Sequence, residues 1–241
     1  MANCFISDLH LQEDRPDITQ AFLGFLEETA SKAEKLYILG DLFEAWIGDD
    51  DPSPLSLDVQ AALRALSDAG VPLYIQQGNR DFLLGKKFMA TSGATLLCDE
   101  HLIDHHGFQA LVMHGDSLCT DDRDYQRFRR KARNPFYKWC LTMLPLKRRQ
   151  RLATDWRAKS KAANSNKASQ IMDVNANAVD AVMAKHKVAT LIHGHTHRPD
   201  RHQVNTGERI VLGDWHDHGW VLVIDAQGYD LQQFPIDNIE Q

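Results

Sequence analysis

The sequence predicts a layered α/β fold carrying an inserted helical block. Apolar runs alternate with amphipathic stretches through the first part of the chain, the pattern of strand–helix–strand units. The C-terminal part is rich in short strands separated by turn residues. Between the two, residues 120–186 lack strand signals and read as helical.

A strand at 3–7 leads to a helix near 17–32, where Ala21, Phe22, Phe25 and Leu26 share one face. A strand at 36–39 is followed by a helix near 57–69 that Gly70 closes. A strand at 72–76 ends at Gly78-Asn79, and a helix near 81–91 follows. Strands near 101–105 and 108–113 join at His106-Gly107 as a hairpin. Pro135 and Pro145 punctuate the helical block. The last strands are expected at 188–192, 201–205, 208–212, 219–224 and 229–234, with turns at Asn205-Thr206-Gly207 and Ala226-Gln227-Gly228.

A length of 241 residues fits one large domain, or one domain with an insertion. With 43% hydrophobic and 25% charged residues, the balance is that of a globular chain, not of a disordered one. Cys4, Cys98, Cys119 and Cys140 have neither zinc-ribbon nor disulfide-framework spacing, which points to a reducing cytosol. The N-terminus enters a strand at once, without a signal-peptide pattern, and no apolar run approaches the ~20 residues of a membrane span. The net charge of −6 hides an asymmetry. Residues 123–167 hold 15 Lys/Arg against 2 Asp/Glu, about +13, which leaves about −19 on the rest. A basic segment on an acidic body calls for an anionic partner. The run Asp49-Asp50-Asp51 reads most simply as a solvated loop.

Metal-type side chains stand in five short blocks: Asp8-Leu9-His10, Gly40-Asp41, Gly78-Asn79-Arg80-Asp81, His114-Gly115-Asp116 and Gly194-His195-Thr196-His197. Each block follows an expected strand, and ligands at strand ends can converge beyond the carboxyl edge of an open sheet. Asp, His and Asn suit Mn²⁺, Fe²⁺ and Zn²⁺ alike.

The order D-x-H, G-D, G-N-x-D, H-G-D, G-H-x-H, spread from Asp8 to His197, resembles the calcineurin-like metallophosphoesterase superfamily. That resemblance implies a four-layer α/β/β/α sandwich. Residues 1–119 and 187–241 would form its core and 120–186 a helical cap over the metal edge. It also implies two ions, one held by Asp8, His10, Asp41 and His197, the other by Asp41, Asn79, His114 and His195, with Asp41 bridging. Such pairs activate a water and clamp both oxygens of an in-line displacement at phosphorus. Asp41, Asn79, Arg80 and His195 would then carry the catalysis. Many members read G-N-H-D/E where this chain has Arg80, and that His helps to protonate the leaving oxygen. A phosphate leaving group, with a second pKa of about 6, needs no such acid. A permanent cation with a planar fork suits phosphate oxygens. The substitution therefore points to a pyrophosphate bond.

The cap mixes its cations with a dense apolar stretch: Phe136, Tyr137, Trp139, Leu141, Met143, Leu144 and Leu146. Three roles fit: a membrane interface, a pocket for acyl chains, or ordinary packing. Aromatics among cations can also bind single strands, but the apolar block is too dense for a stacking platform and no nucleic-acid module is present. Nucleic acid is not an expected partner. The run from His114 to Tyr125, with Trp156-Arg157-x-x-Ser160-x-x-x-Asn164-x-x-Lys167, is similar to the hydrolase branch of the superfamily that acts on UDP-2,3-diacylglucosamine in lipid A biosynthesis. That resemblance implies release of UMP and 2,3-diacylglucosamine 1-phosphate, two Mn²⁺ per subunit, and a peripheral place on the cytoplasmic face of the inner membrane. Arg157, Ser160, Asn164 and Lys167 are spaced to share one helix face, with donors suited to sugar and phosphate oxygens. Asp122 and Tyr125 are carried over as sugar contacts, and Asn79, Arg80 and His195 as substrate contacts. A nucleotide phosphodiesterase or dinucleotide polyphosphate hydrolase is the alternative activity. Asp81 and Asp116 are candidates to orient the ligands that precede them, and His193 either does the same or sits in its strand. His216 and His218, around Asp217, read as turn residues.

Overall fold

The computed structural model describes residues 2–105, 107–165 and 173–236, without the side chains of 161–165. Its first half runs β1 (Asn3–Ile6), α1 (Pro16–Glu28), β2 (Lys35–Leu39), α2 (Pro54–Asp68), β3 (Leu73–Gln76), α3 (Lys86–Ser92), β4 (Thr95–Leu96), β5 (His101–His105) and β6 (Phe108–Met113). Four helices follow: α4 (Arg123–Ala132), α5 (Pro135–Thr142), α6 (Leu146–Ser165) and α7 (Ala176–His186). The chain closes with β7 (Thr190–His193), β8 (Asp200–Val204), β9 (Gly207–Val211), β10 (His218–Asp225) and β11 (Gly228–Pro235).

The strands form two sheets, ordered β11-β10-β1-β2-β3-β4 and β5-β6-β7-β9-β8. β1 to β4 are parallel, as are β6, β7 and β9, so both sheets send carboxyl ends to the same kind of edge. Strand alternation sorts the side chains. Ile6, Ile38 and Ile75 face α1–α3 and pack with Phe22, Leu63 and Phe88. Phe5, Tyr37 and Leu39 face the second sheet and meet Ala110, Val112, Ile192 and Ile210. Leu111, Met113 and Leu191, on the far face of the second sheet, are sealed by Val179, Val182 and Met183 of α7. The result is the expected α/β/β/α layering. Its fourth layer comes from within the span expected as cap, because α7 carries an apolar stripe and the sheet needs a cover.

Local chemistry sets the helix starts. Ser53, Asn134 and Asn175 cap α2, α5 and α7 through side-chain oxygens, and Pro54 and Pro135 occupy first-turn positions. The helix expected from residue 81 begins only at Lys86. The Asp81 carboxylate accepts from Gly78 N at 2.6 Å and Leu42 N at 2.8 Å, which holds that segment in a turn. Asp49 then accepts from the amides of Gly85, Lys87 and Phe88, satisfying the open donors of α3 from a distant loop. The two-residue β4 was not foreseen; it is too short to carry a periodic signal.

The run Asp49-Asp50-Asp51 is thus not a plain solvated loop. Asp50 makes a two-pronged pair with Arg149, which is buried and also donates to Ile47 O and Leu144 O. That pair ties the start of α6 to the core. Asp50→Ala leaves a buried guanidinium short of its carboxylate. A loss of about 1–3 kcal/mol is expected, kept modest because Asp50 itself is exposed. A urea titration that moves the midpoint by nothing measurable would contradict it.

Candidate metal centre

All five ligand-type blocks lie where a strand of one sheet or the other ends, after β1, β2, β3, β6 and β7. The turns are stitched together by main-chain bonds. Asp8 N donates to Gly40 O, His10 N to Asp41 O and Gly194 N to His114 O, each at 3.0–3.1 Å. Asp8, His10, Asp41, His195 and His197 all take left-handed backbone angles, φ 51–69°. Among the described residues, Lys187 is the one other non-glycine to do so. Such angles cost non-glycine residues energy and persist where the surroundings force them, often at functional sites. Gly78 and Gly194 permit the approach of the turns: a Cβ on either would lie about 2 Å from an Asp41 or Asp8 oxygen.

The side chains converge. Asp8 Oδ1 stands 3.3 Å from His197 Nε2 and 3.9 Å from His10 Nε2. The two Asp41 oxygens look in opposite directions, Oδ2 to His10 Nε2 at 3.9 Å and Oδ1 to His114 Nε2 at 3.8 Å. Asn79 Oδ1 lies 3.0 Å from His114 Nε2, and the His195 ring sits 5.0 Å from that of His114. Asp8, His10 and His197, and again Asp8, Asp41 and His114, offer donor atoms close enough to share one ion. Three features fit cations here. Asp8 Oδ1 is buried and accepts no hydrogen bond. Three buried carboxylates, Asp8, Asp41 and Asp81, crowd one point. His114 Nδ1 is 2.9 Å from Leu39 O, an acceptor, so Nδ1 carries a proton and Nε2, beside the Asn79 oxygen, is the nitrogen left to meet an ion.

The residues behind the ligands differ partly from expectation. His10 Nδ1 is held by Glu44 Oε2 at 3.0 Å, and His197 Nδ1 by Asp214 Oδ2 at 3.3 Å. Neither carboxylate carries a motif signal in the sequence. Asp81 grips backbone amides rather than a ligand. Asp116 accepts from Tyr125 Oη at 2.7 Å and Arg129 Nε at 2.8 Å, which docks α4 beside His114. Arg133 extends that clamp to the carbonyls of Gln77 and Gly78, at 2.7 and 3.2 Å, just before Asn79. These two cations of the basic segment therefore serve the fold rather than an outside anion. His193 is buried in its strand, bonded to Gly194 O. His216 pairs with its neighbour Asp217 in an exposed turn; His218 opens β10.

Electrostatics follows from burial and crowding. Burial opposes ionisation of Asp8, but His197, His114 and His10 hold its carboxyl far below the usual carboxylate range. Burial and then Asp41 push Asp81 up to about 6. Burial and then His114 push His195 down to about 4, so its imidazole is neutral and available. Burial works against a charge on His197, yet Asp214 and Asp8 carry it up to about 10.

A cavity of about 550 Å³ opens on this cluster. One wall is His10, Asp41, Asn79, Arg80, His195 and His197; the other includes Phe82, Phe128, Leu141, Leu152 and Trp156. Asp122, Tyr125, Arg157 and Ser160 line it too. Asp122 also caps α4, accepting from Tyr125 N at 3.1 Å, so it starts the helix and lines the cavity at once. Lys167 and the side chain of Asn164 lie outside the described residues. The apolar stretch at 136–146 divides. Leu141, with Tyr137 and Leu144, packs inward with Phe82, while Phe136, Trp139 and Met143 are 71%, 57% and 68% exposed.

Solved structures share the fold. An archaeal phosphodiesterase superposes over 98% of this chain and 99% of its own with a TM-score of 0.50 at 12% identity. Vacuolar protein sorting 29 from Cryptosporidium parvum does so over 97% of both chains, with 0.50 at 11%. Likeness at that level speaks for architecture alone. Relatives named UDP-2,3-diacylglucosamine hydrolase are far nearer in sequence. That of Enterobacter sp. (strain 638) is 55% identical, covering 98% of this chain and all of its own. Those of Escherichia coli O81 (strain ED1a) and Azotobacter vinelandii are 53% and 52% identical over the same shares. The Calcineurin-like phosphoesterase pattern spans residues 4–199, every ligand-type block included, and the chain belongs to that family.

Proposed function

We propose that the protein hydrolyses the pyrophosphate bond of UDP-2,3-diacylglucosamine, releasing UMP and 2,3-diacylglucosamine 1-phosphate, as a step of lipid A biosynthesis. The observation that carries this reading is the cavity's two-sided lining. A cluster of buried carboxylates and imidazoles faces an apolar chamber formed by α4–α6 and the Phe82 turn. A substrate whose diphosphate joins a nucleoside to an acylated sugar can set the diphosphate on the first wall and the acyl chains on the second. In this reading 120–186 remains the insertion, with α4–α6 toward substrate, while α7 within that span covers the second sheet as the fourth layer.

Asp8, His10, Asp41 and His197 would hold one Mn²⁺, and Asp41, Asn79, His114 and His195 a second, with Asp41 between them. Two ions there would supply activation of a water and neutralisation of charge at the phosphoryl oxygens. Arg80 faces the same space and offers its fork to phosphate oxygens. Tyr125, Asp122, Arg157 and Ser160 present donors and acceptors for the sugar and its phosphate, and the sequence spacing extends that role to Asn164 and Lys167. The leaving phosphate needs no proton, so no general acid is assigned. Turnover of the lipid by Mn²⁺-loaded protein, with UMP and lipid phosphate both followed, tests the reading. Activity on a generic aryl phosphodiester without turnover of the lipid would favour the nucleotide-hydrolase alternative.

Metal uptake should release protons. His197, raised to about 10, is charged at neutral pH in the metal-free protein and must shed its proton to become a ligand. Its charged form favours the metal-free fold up to the ordinary His range of about 6.5, and that contribution fades as the pH climbs through the raised value. Mn²⁺ affinity should therefore rise with pH. Calorimetry at pH 7.5 in two buffers of different ionisation enthalpy should show roughly one proton or more released per chain. Identical heats in both buffers would contradict this.

A peripheral place at the inner membrane is part of the proposal. No described helix is long and apolar enough to cross a membrane. Phe136, Trp139 and Met143 stand exposed on and just after α5, and Arg130, Lys131, Lys147, Arg148 and Arg151 are exposed in the flanking helices. Apolar side chains amid cations suit an anionic interface. Trp139→Glu should lower co-sedimentation with phosphatidylglycerol vesicles several-fold while leaving the fold intact. Unchanged sedimentation would remove this surface from the proposal.

A further inference from the structure

We infer that Glu44 is a positioning residue that sets the spacing between the phosphate-facing Arg80 and the ion-facing His10. This rests on the substrate reading above. The carboxylate is split between the two: Oε2 lies 3.0 Å from His10 Nδ1, and Oε1 lies 3.4 Å from Arg80 Nη1. Among the described residues this is the one ion pair Arg80 makes. Glu44 is itself held by backbone. Leu11 and Phe43 form a parallel bridge, Leu11 N donates to Leu42 O at 3.0 Å, and Glu44 N donates to Leu11 O at 3.1 Å. The turn carrying His10 and the turn carrying Asp41 are thus zipped together as far as Glu44, which lines the cavity at one-fifth exposure.

Two consequences follow from the geometry. With Nδ1–H donated to Glu44, Nε2 is the ring nitrogen that His10 turns toward Asp8 and Asp41, both 3.9 Å away, and the one left to meet an ion. With Oε1 beside it, the Arg80 guanidinium is kept at the mouth of the ion cluster rather than free to swing to solvent. A carboxylate that merely braced a loop would need only one of these contacts.

The test uses the full chain with Glu44→Ala, Glu44→Gln, Arg80→Ala and the double variant Glu44→Ala/Arg80→Ala. Glu44→Gln keeps the size and one acceptor oxygen, so it carries the test should Glu44→Ala fail to fold. Mn²⁺ titration of metal-stripped protein by calorimetry is expected to show a Kd about tenfold or more weaker for Glu44→Ala, with Glu44→Gln intermediate. KM for UDP-2,3-diacylglucosamine should rise in both. The losses of Glu44→Ala and Arg80→Ala in kcat/KM should combine to less than their product, because each variant already breaks the same link. Mn²⁺ affinity within twofold of wild type in both Glu44 variants would overturn the inference. Losses that simply multiply would overturn it as well. A wild-type chain that binds Mn²⁺ but does not hydrolyse the lipid would defeat the substrate reading alone. Affinity for inorganic phosphate, in place of KM, would then decide the role of Glu44.

Discussion

Asp41→Asn is expected to lower kcat/KM by at least about 10³-fold, roughly 4 kcal/mol of transition-state stabilisation. The loss should come with a folded protein. Asp41 is almost fully buried, and its two oxygens point separately at His10 and His114, as suits a carboxylate placed between two ions. An amide offers one acceptor oxygen and no charge, so the bridge is lost while the shape is kept. Oδ1 also accepts from Arg80 N at 2.8 Å, a bond that an amide oxygen can retain. Melting with and without Mn²⁺ separates the two effects. Ligand binding to the folded state adds about 2.7 kcal/mol at a hundredfold excess over Kd. Wild type should therefore melt several degrees higher with Mn²⁺ than with chelator, and Asp41→Asn should lose most of that shift. In chelator the variant should melt no lower than wild type, since the change removes one of three crowded buried carboxylates. A variant that keeps both turnover and the Mn²⁺ shift would dismiss Asp41 as the bridge.

Arg80→Ala should lower kcat/KM by about 10²–10³-fold, the range for removing one preorganised donor from developing phosphoryl charge. Arg80 lines the cavity beside Asn79, about a quarter exposed, with its guanidinium near Glu44. Arg80→Lys should recover only part of the loss, because an ammonium lacks the planar fork. Unlike Asp41→Asn, Arg80→Ala should retain most of the Mn²⁺-induced melting shift. The pair of variants therefore distinguishes ion binding from phosphate handling. An Arg80→Ala enzyme within twofold of wild type would return Arg80 to the status of a loop residue and weaken the pyrophosphate reading drawn from it.

Both expectations depend on α4–α6 as well as the sheets. These helices are docked by Arg129 on Asp116, by Arg133 on the Gln77 and Gly78 carbonyls, and by Arg149 on Asp50. Two of these struts end beside the turns that carry His114 and Asn79. Substitutions there should change turnover without touching substrate, because they move the frame of the second ligand group.

Much of this was legible in residue type and spacing. Short apolar runs and the turn residues between them marked nearly every strand of length, and the five blocks of Asp, Asn, His and Gly marked where five of those strands end. Strand ends and ligand types are local properties, written in a few consecutive residues. The Arg80 departure and the apolar, basic composition of 120–186 were legible for the same reason. What needed the folded chain was everything held across sequence distance. Glu44 stands 34 positions from His10, and Arg149 stands 99 from Asp50. Neither pairing leaves a periodic or motif signal. The same holds for Asp214 behind His197 and for Asp49 capping α3. The late start of that helix and the place of α7 as the fourth layer were decided by which exposed backbone amides and which bare sheet face still needed a partner. Local sequence names the groups that can bind an ion; only packing chooses the carboxylates and arginines that hold those groups in place.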